Sequence, residues 1–168
     1  MSNPAELVVL RDRDGNIVVP QILRSEVKLH KQELIDAGKF QSIVIAVVRD
    51  GSDKIIGQLR GPNQSEPGHW DNVSGAMRPG ETPEVAAARE IGEELGCEVT
   101  GLRIHRQGVN SYGRYCFLLS AVAAEAPRVG APDEIDEVVA RTTDEWRTLA
   151  DQGRLFVNDF FEDVAATA

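Results

Sequence analysis

The sequence predicts an α/β chain of the α+β kind, a mixed β-sheet sandwiched between α-helices. Three observations predict it. Apolar runs at strand length fill the first part of the chain, a single well-capped helix follows them, and a second set of strands leads into amphipathic segments at the end. At 168 residues the chain has the size of one domain with a substantial core, taken as 1–168. A hairpin and helix over residues 1–39 precede that core as an N-terminal extension.

"ELVVLRD" and "NIVVPQI" flank Asp14-Gly15, a pair that predicts a two-residue hairpin turn. An amphipathic segment over 25–37 is closed by Gly38, which suits a helix C-terminus. "FQSIVIAVV" then reads as a buried strand, "DGSD" as a turn and "KIIGQLR" as its antiparallel partner. "GPNQSEPG" is a loop, since its glycines and prolines sustain neither ladder nor helix. Thr82 before Pro83 starts a helix and Gly96 stops it, giving Pro83 to Leu95. "EVTGLRIHRQ" and "RYCFLLSAVAA" form a hairpin around "GVNSYG". A short strand over 138–141, a helix opening at "TTDEWRTLA" and an amphipathic segment "FVNDFFEDVA" complete the chain.

Composition excludes several classes of function. Hydrophobic residues at 42% and charged residues at 27% rule out wholesale disorder. A net charge of -9 repels phosphate backbones and anionic headgroups, so neither nucleic acid nor membrane is an expected partner. The basic run "VKLHK" reads as a solvated helix face. Cys97 and Cys116 lack framework spacing and read as reduced core thiols. The start "MSNPAELVVLRDRD" carries no secretory pattern, and "IVIAVV" is too short to span a bilayer, so a soluble, cytoplasmic protein is expected.

The central helix is where chemistry concentrates. Glu90, Glu93 and Glu94 stand at i, i+3 and i+4 and share one face, where like charges repel by a few tenths of a kcal/mol per pair. Gly92 costs about another 1 kcal/mol against alanine, and the acids crowd the C-terminal half, where the helix dipole disfavours them. A hard divalent cation resolves the conflict: Mg2+ is held by a few carboxylates, waters and substrate phosphates, and it lets an acidic protein bind an anionic ester. Arg89, four residues before Glu93, can pin that carboxylate. Val85, Ala86 and Ala88 leave little bulk for packing against a sheet. Gly75 and Gly80 permit a compact loop with a backbone carbonyl facing the metal, and Glu81 can bond a loop amide or an arginine.

The whole pattern is G-x5-E-x7-R-E-U-x-E-E-x-G-U, U being bulky and apolar, filled by Gly75, Glu81, Arg89, Glu90, Ile91, Glu93, Glu94, Gly96 and Cys97. A chance match is on the order of one in ten million, which outweighs the ordinary reading of a solvated acidic helix. The stretch resembles the signature box of the Nudix hydrolase family over residues 75–97, a loop-helix-loop. Cys97 departs from the usual Ile, Leu or Val. The likeness extends more loosely through "IVIAVV", "IIGQLR" and "GHWDNVSG". It implies a Nudix fold and a Mg2+-dependent (or Mn2+-dependent) hydrolase that directs water at a phosphorus of a diphosphate linkage, in a nucleoside diphosphate linked to another moiety. Glu93 and Glu94 would be metal ligands, Glu90 a ligand or the base, Gly75 a ligand through its carbonyl, Arg89 the group orienting Glu93 and Glu81 a brace. Many relatives add an acid from outside the box. Of Asp133, Glu134, Asp136 and Glu137 in "PDEIDE", Glu134 is the choice, against a solvated loop.

Substrate choice is set outside the box. Trp70 is a stacking surface for a base or else a core residue. Arg60 and Arg78 flank the expected phosphate path. Tyr112 and Tyr115 fall where dinucleoside polyphosphate hydrolases of the family carry a tyrosine, and Tyr115 is counted among the substrate residues. The N-terminal extension and "GHWDNVSGAMRPGE" also look like the branch containing isopentenyl diphosphate isomerase. Neither "FQSIVIAVV" nor "KIIGQLR" has that branch's cysteine, so hydrolysis ranks above isomerisation. A catalytically silent nucleotide-binding regulatory module is the third reading. The extra hairpin and exposed strand edges make a homodimer an expectation.

Overall fold

The computed structural model describes residues 5–156 and 159–168. Along the chain these form β1 (Leu7–Arg11), β2 (Ile17–Leu23), α1 (Arg24–Leu29), α2 (Lys31–Asp36), β3 (Phe40–Arg49), β4 (Ile55–Arg60), β5 (Trp70–Asp71), β6 (Val73–Ala76), α3 (Pro83–Leu95), β7 (Val99–Val109), β8 (Arg114–Ala123), β9 (Ile135–Arg141), α4 (Thr143–Asp151) and α5 (Asp159–Ala166). The final amphipathic segment of the sequence falls partly on residues 157–158, outside the described residues.

β3 is the axis of the sheet because it is apolar on both faces. It pairs in parallel with β8 from Gln41↔Arg114 to Arg49↔Val122. Its other edge meets β1, β6 and β4 in turn, all antiparallel, so the sheet is mixed. Strand alternation then divides the core into two layers. Phe40, Val44, Ala46 and Val48 pack with Phe117, Leu119 and Ala121 of β8 under α3. Ile45, Val47 and Leu118 face the other way, towards Trp146 of α4 and Phe160 and Val164 of α5. Trp146 is fully buried and donates its indole N–H to Ile55 O at 3.0 Å, so its one polar atom is satisfied. The observed architecture is therefore the α+β sandwich that the sequence predicts.

α3 forms where its caps place it. Thr82 Oγ1 accepts from the Val85 amide at 3.2 Å, and Gly96 closes the helix at φ 58°, a left-handed conformation that favours glycine. Ala86 and Ala87, with Ile91 and Leu95, make the packing face. Val85 and Ala88, expected there, point to solvent.

Three local expectations change. Asp14-Gly15 does not make a two-residue turn. Arg11 pairs with Ile17, so the connection runs over 12–16. Asp12 Oδ1 accepts from the amides of Asp14 and Asn16 at 2.9 and 3.0 Å, an Asx-type closure that wins over the tighter turn. The amphipathic segment divides into α1 and α2 at His30, where φ is -112° and ψ 25°. Hydrogen bonds continue across the bend, and Val27 and Leu34 both reach the cluster of Val8, Leu10 and Ala76. β4 pairs with β3 only at Val48↔Ile56 and Arg49↔Ile55, then departs to pair with β9 and β5. β6 takes the edge of β3 that β4 leaves, which sets β6 and β4 on either side of the acids of α3. Among the described residues no helix is long and apolar enough to cross a membrane.

Candidate functional site

The last two turns of α3 bury charge as well as apolar surface. Glu90 and Glu94 are 2% and 7% exposed. The carboxyl group of Glu90 lies directly against the α-carbon of Gly75 on β6, in the space that a side chain there would fill. Gly75 is thus required by close approach and not by backbone conformation. Gly75→Ala is expected to push Glu90 aside, lowering stability by about 1–3 kcal/mol through overpacking and removing activity with it. A thermal melt and a hydrolysis assay check this, and an unchanged melt would refute the packing argument.

Arg89 fixes the acids from one side. Its Nε and Nη2 donate to Glu81 Oε2 and Oε1 at 2.7 and 2.9 Å, Nη1 to Glu90 Oε1 at 2.8 Å, and Nη2 also to Ala76 O at 2.9 Å. Glu81 in turn accepts from the Arg78 amide at 2.6 Å, so it bonds both a loop amide and an arginine. Glu93 is reached only at 3.5 Å, hence Arg89 orients Glu90 and Glu81 far more firmly than Glu93. Glu93 is 38% exposed and also lies 3.7 Å from Arg78, which bonds Glu6 at 3.1 Å.

From the other side Gln58 of β4 donates to Glu94 Oε1 at 2.8 Å. Asp71 of β5 bonds Arg60 Nη1 through Oδ2 at 2.8 Å. Burial raises the Asp71 carboxyl to about 6, with Arg60 opposing. Burial, and then the neighbouring charge of Glu90, push Glu94 well above the usual carboxylate range. Burial raises Glu90 too, against the pull of Arg89.

Glu90 Oε2, Glu94 Oε2 and Asp71 Oδ1 are buried with no hydrogen-bond partner. Leaving such oxygens unpaired is costly unless they are protonated or meet a cation. Hard carboxylate oxygens in this state fit Mg2+ or Mn2+. Among the described residues no ready cluster of three acidic, histidine or cysteine side chains is assembled, since Glu93 turns towards the arginines.

Gly75 and Glu94 form part of the wall of a polar cleft of about 420 Å³ that also includes Arg24, Arg60, Arg114 and Glu134. Glu134 and Glu94 further share a second recess with Arg78 and Glu93. The structure therefore brings Glu134, just ahead of β9, to the acids of α3. Arg60 lines the cleft, but its donors are taken by Asp71, Ser65 O and Ser65 Oγ, and its guanidinium stacks 4.0 Å from the Phe156 ring centre. Two residues expected to touch substrate are built into the core, although Trp70 also lines an apolar pocket. Trp70 packs edge-on against Trp146 at 5.5 Å. Tyr115 is 2% exposed under α3, its hydroxyl bonded to Gln107, because odd positions of β8 face that layer. Gln58, Asp71, Arg24 and Arg114 escaped the sequence reading, as all four lie outside residues 75–97 and nothing in their local pattern marks them; Asp71, only four residues before Gly75, carries no spacing signal of its own.

A family model described as the NUDIX domain matches residues 39–162, from β3 into α5. No curated protein matches the chain. Among solved structures, that of DR0079 from Deinococcus radiodurans is similar, with a TM-score of 0.71 and 23% identity over 94% of this chain and 96% of that one. A NUDIX hydrolase from Nitrosomonas europaea gives 0.62 and 20% over 76% and 87%. A MutT structure from work on Aliivibrio salmonicida and Vibrio cholerae gives 0.55 and 17% over 64% and 84%. At these identities the likenesses speak to the fold. The family model spans more than half of the chain and contains every residue of the box, and on that match the chain belongs to the Nudix hydrolase family.

Proposed function

We propose that the chain is a Mg2+-dependent hydrolase, with Mn2+ as a substitute, that cleaves the diphosphate linkage of a nucleoside diphosphate joined to another moiety. One observation carries the reading: Glu90 and Glu94 are buried together, each with an unpartnered oxygen, where the polar cleft is lined by arginines. Glu90, Glu93, Glu94 and the Gly75 carbonyl would hold the cation, Glu93 turning away from Arg78 and Arg89 to do so. When bound, the ion lets carboxylates and diphosphate share one site and acidifies the attacking water. Arg89 keeps Glu90 in place, and Glu81 keeps the loop. Glu134 is positioned to take the proton from water, which is general base catalysis. Positioning and electrostatics supply most of the acceleration. The same reading places the enzyme in the cytoplasm as one domain, and exposed Ile17 and Val18 on edge strand β2 offer the contact for a homodimer.

The test is to incubate the purified chain with Mg2+ and nucleoside triphosphates, ADP-ribose, diadenosine polyphosphates, NADH and prenyl diphosphates. Metal-dependent cleavage of a diphosphate supports the proposal. Double-bond migration in a prenyl diphosphate would establish the isomerase instead, and tight binding without turnover the regulatory module.

A second prediction needs no substrate. In a chelator the protein is expected to melt at a higher temperature at about pH 5.5 than at about pH 8. Asp71, Glu90 and Glu94 have raised values, so the folded chain holds their protons more tightly than the unfolded chain. Their stabilising contribution is complete below the unfolded values and is lost as pH rises through the folded ones, for Asp71 between 3.8 and about 6. Glu81, lowered mainly by Arg89 against its burial, loses its own contribution only as pH falls below its ordinary 4.5. Saturating Mg2+ should restore the melt at pH 8. A chelated protein that is more stable at pH 8 would contradict this account.

A further inference from the structure

Arg114 begins β8, its amide held by Asn110 Oδ1 at 3.0 Å. Its half-buried guanidinium makes no ion pair and no side-chain hydrogen bond among the described residues. Its nearest charged neighbours are cations, although Asp71, Asp163, Glu94 and Glu134 line the same two spaces. Burial and then Arg24 lower its affinity for a proton, and Arg114 in turn lowers that of Lys31. Arg24 is itself held by Glu6 at 3.2 Å. In a chain with a net charge of -9, carboxylates were available to neutralise this group. A half-buried guanidinium that the fold leaves without an ion pair, beside other cations, is stabilised by an anion.

The position of Arg114 says which part of a ligand meets it. It lines the polar cleft and also an adjoining pocket of about 210 Å³, and Ile43, Asp71 and Ser74 line both, so the two spaces are continuous. The second pocket is walled by Trp70, Tyr112, Phe156 and Phe160. Tyr112 lines this pocket and is 55% exposed, so its ring is available for stacking. Asn72 lines the same pocket with Oδ1 buried and unpartnered, an acceptor suited to a ring N–H or amino group.

We propose that Arg114, together with Arg24 from the N-terminal extension, is a phosphate clamp that holds a nucleotide's diphosphate at the junction, with its heterocycle in the aromatic pocket. This rests on the hydrolase reading for its substrate class. It adds that residues ahead of 39, outside the family match, complete the site. Arg114 and Arg24 bind charge and leave the attack on phosphorus to the acids of α3. Their loss therefore weakens binding more than it slows the chemical step.

The experiment uses the full chain, with Arg114→Gln, Arg24→Gln and Tyr112→Ala, and with ADP and inorganic pyrophosphate as calorimetric probes in Mg2+. Each arginine variant should bind both probes about tenfold or more weakly, the loss expected for a charge-assisted bond. KM of any hydrolysed diphosphate should rise in step while kcat stays within a few-fold. Tyr112→Ala should weaken ADP alone. Arg114→Gln should melt at the same or a higher temperature, since a clamp lacks a structural partner. A lower melt for that variant, or unchanged affinity for both probes, would overturn the clamp, as would failure of the wild type to bind either probe. Unchanged affinity in Arg24→Gln would remove the extension from the site. The two readings separate cleanly: weakened ADP binding in Arg114→Gln without any wild-type turnover keeps the clamp and sinks the hydrolase. Wild-type turnover with an unaltered KM in Arg114→Gln does the reverse.

Discussion

Glu94→Gln is expected to abolish turnover and to raise the melting temperature of the metal-free chain. The change is nearly isosteric, so the side chain keeps its place beside β4, and the variant retains an oxygen to accept from Gln58, as Glu94 Oε1 does at 2.8 Å. What it removes is a buried negative charge beside Glu90 and Asp71, both of which raise the cost of ionising it. An amide also brings N–H donors to a site where Glu90 Oε2 lacks one. Relief of that conflict should add about 1 kcal/mol, or about 2–4 °C for a domain of this size. The catalytic cost runs the other way. A carboxylate ligand supplies several kcal/mol of electrostatic stabilisation to the reaction, so about a thousandfold or more of kcat should disappear. Mg2+ should then raise the melting temperature of the variant less than that of the wild type. Activity within tenfold of wild type would remove Glu94 from the ligand set, and a lower melt would show that its charge is satisfied by the fold alone.

That opposition between stability and function also explains which parts of the site were legible in the sequence. The box lies within 75–97, and its meaning is local: caps at Thr82 and Gly96 define the helix, and spacing puts Glu90 and Glu94 on one face of it. Strand alternation was equally legible, because β3 and β8 bury both faces and their apolar runs are continuous. What could not be read was convergence over distance. Gln58 reaches Glu94 only because β4 leaves β3 after two paired positions. Arg114 reaches the cleft only because β8 runs parallel to β3, which puts its first residue beside Gln41. The same register explains Tyr115: one residue further along the strand reverses the face, and the ring enters the core. For Trp70 the sequence favours a core residue over a stacking surface, and the bridge to Leu155 and the ring of Trp146, both far along the chain, show how the core holds it. The N-terminal turn failed for a different reason. Asp14-Gly15 competes with Asp12 two residues earlier, and two amide bonds to one carboxylate favour the longer loop.

Arg89→Lys is expected to cost about 1–3 kcal/mol of stability and most of the activity, although the charge is conserved. The guanidinium spends three nitrogens on four acceptors: both oxygens of Glu81, Oε1 of Glu90 and the carbonyl of Ala76. Burial opposes its charge, yet the two carboxylates more than offset this and raise its proton affinity above the ordinary value. An ammonium donates from a single point, so it cannot span Glu81 in the bidentate manner and still reach Glu90. Whichever acid it abandons is left charged and largely buried, at side-chain exposures of 12% for Glu81 and 2% for Glu90. Arg89→Ala strands both, and should cost about 3–5 kcal/mol. The two variants thus form a graded series in denaturant unfolding, with wild type most stable, lysine intermediate and alanine least. Salt separates this network from surface pairing, because groups so enclosed are screened little and the order should persist at 1 M ionic strength. If Arg89→Lys unfolds within 0.5 kcal/mol of wild type, the fork geometry is irrelevant, and Glu90 must be held against Gly75 by packing alone.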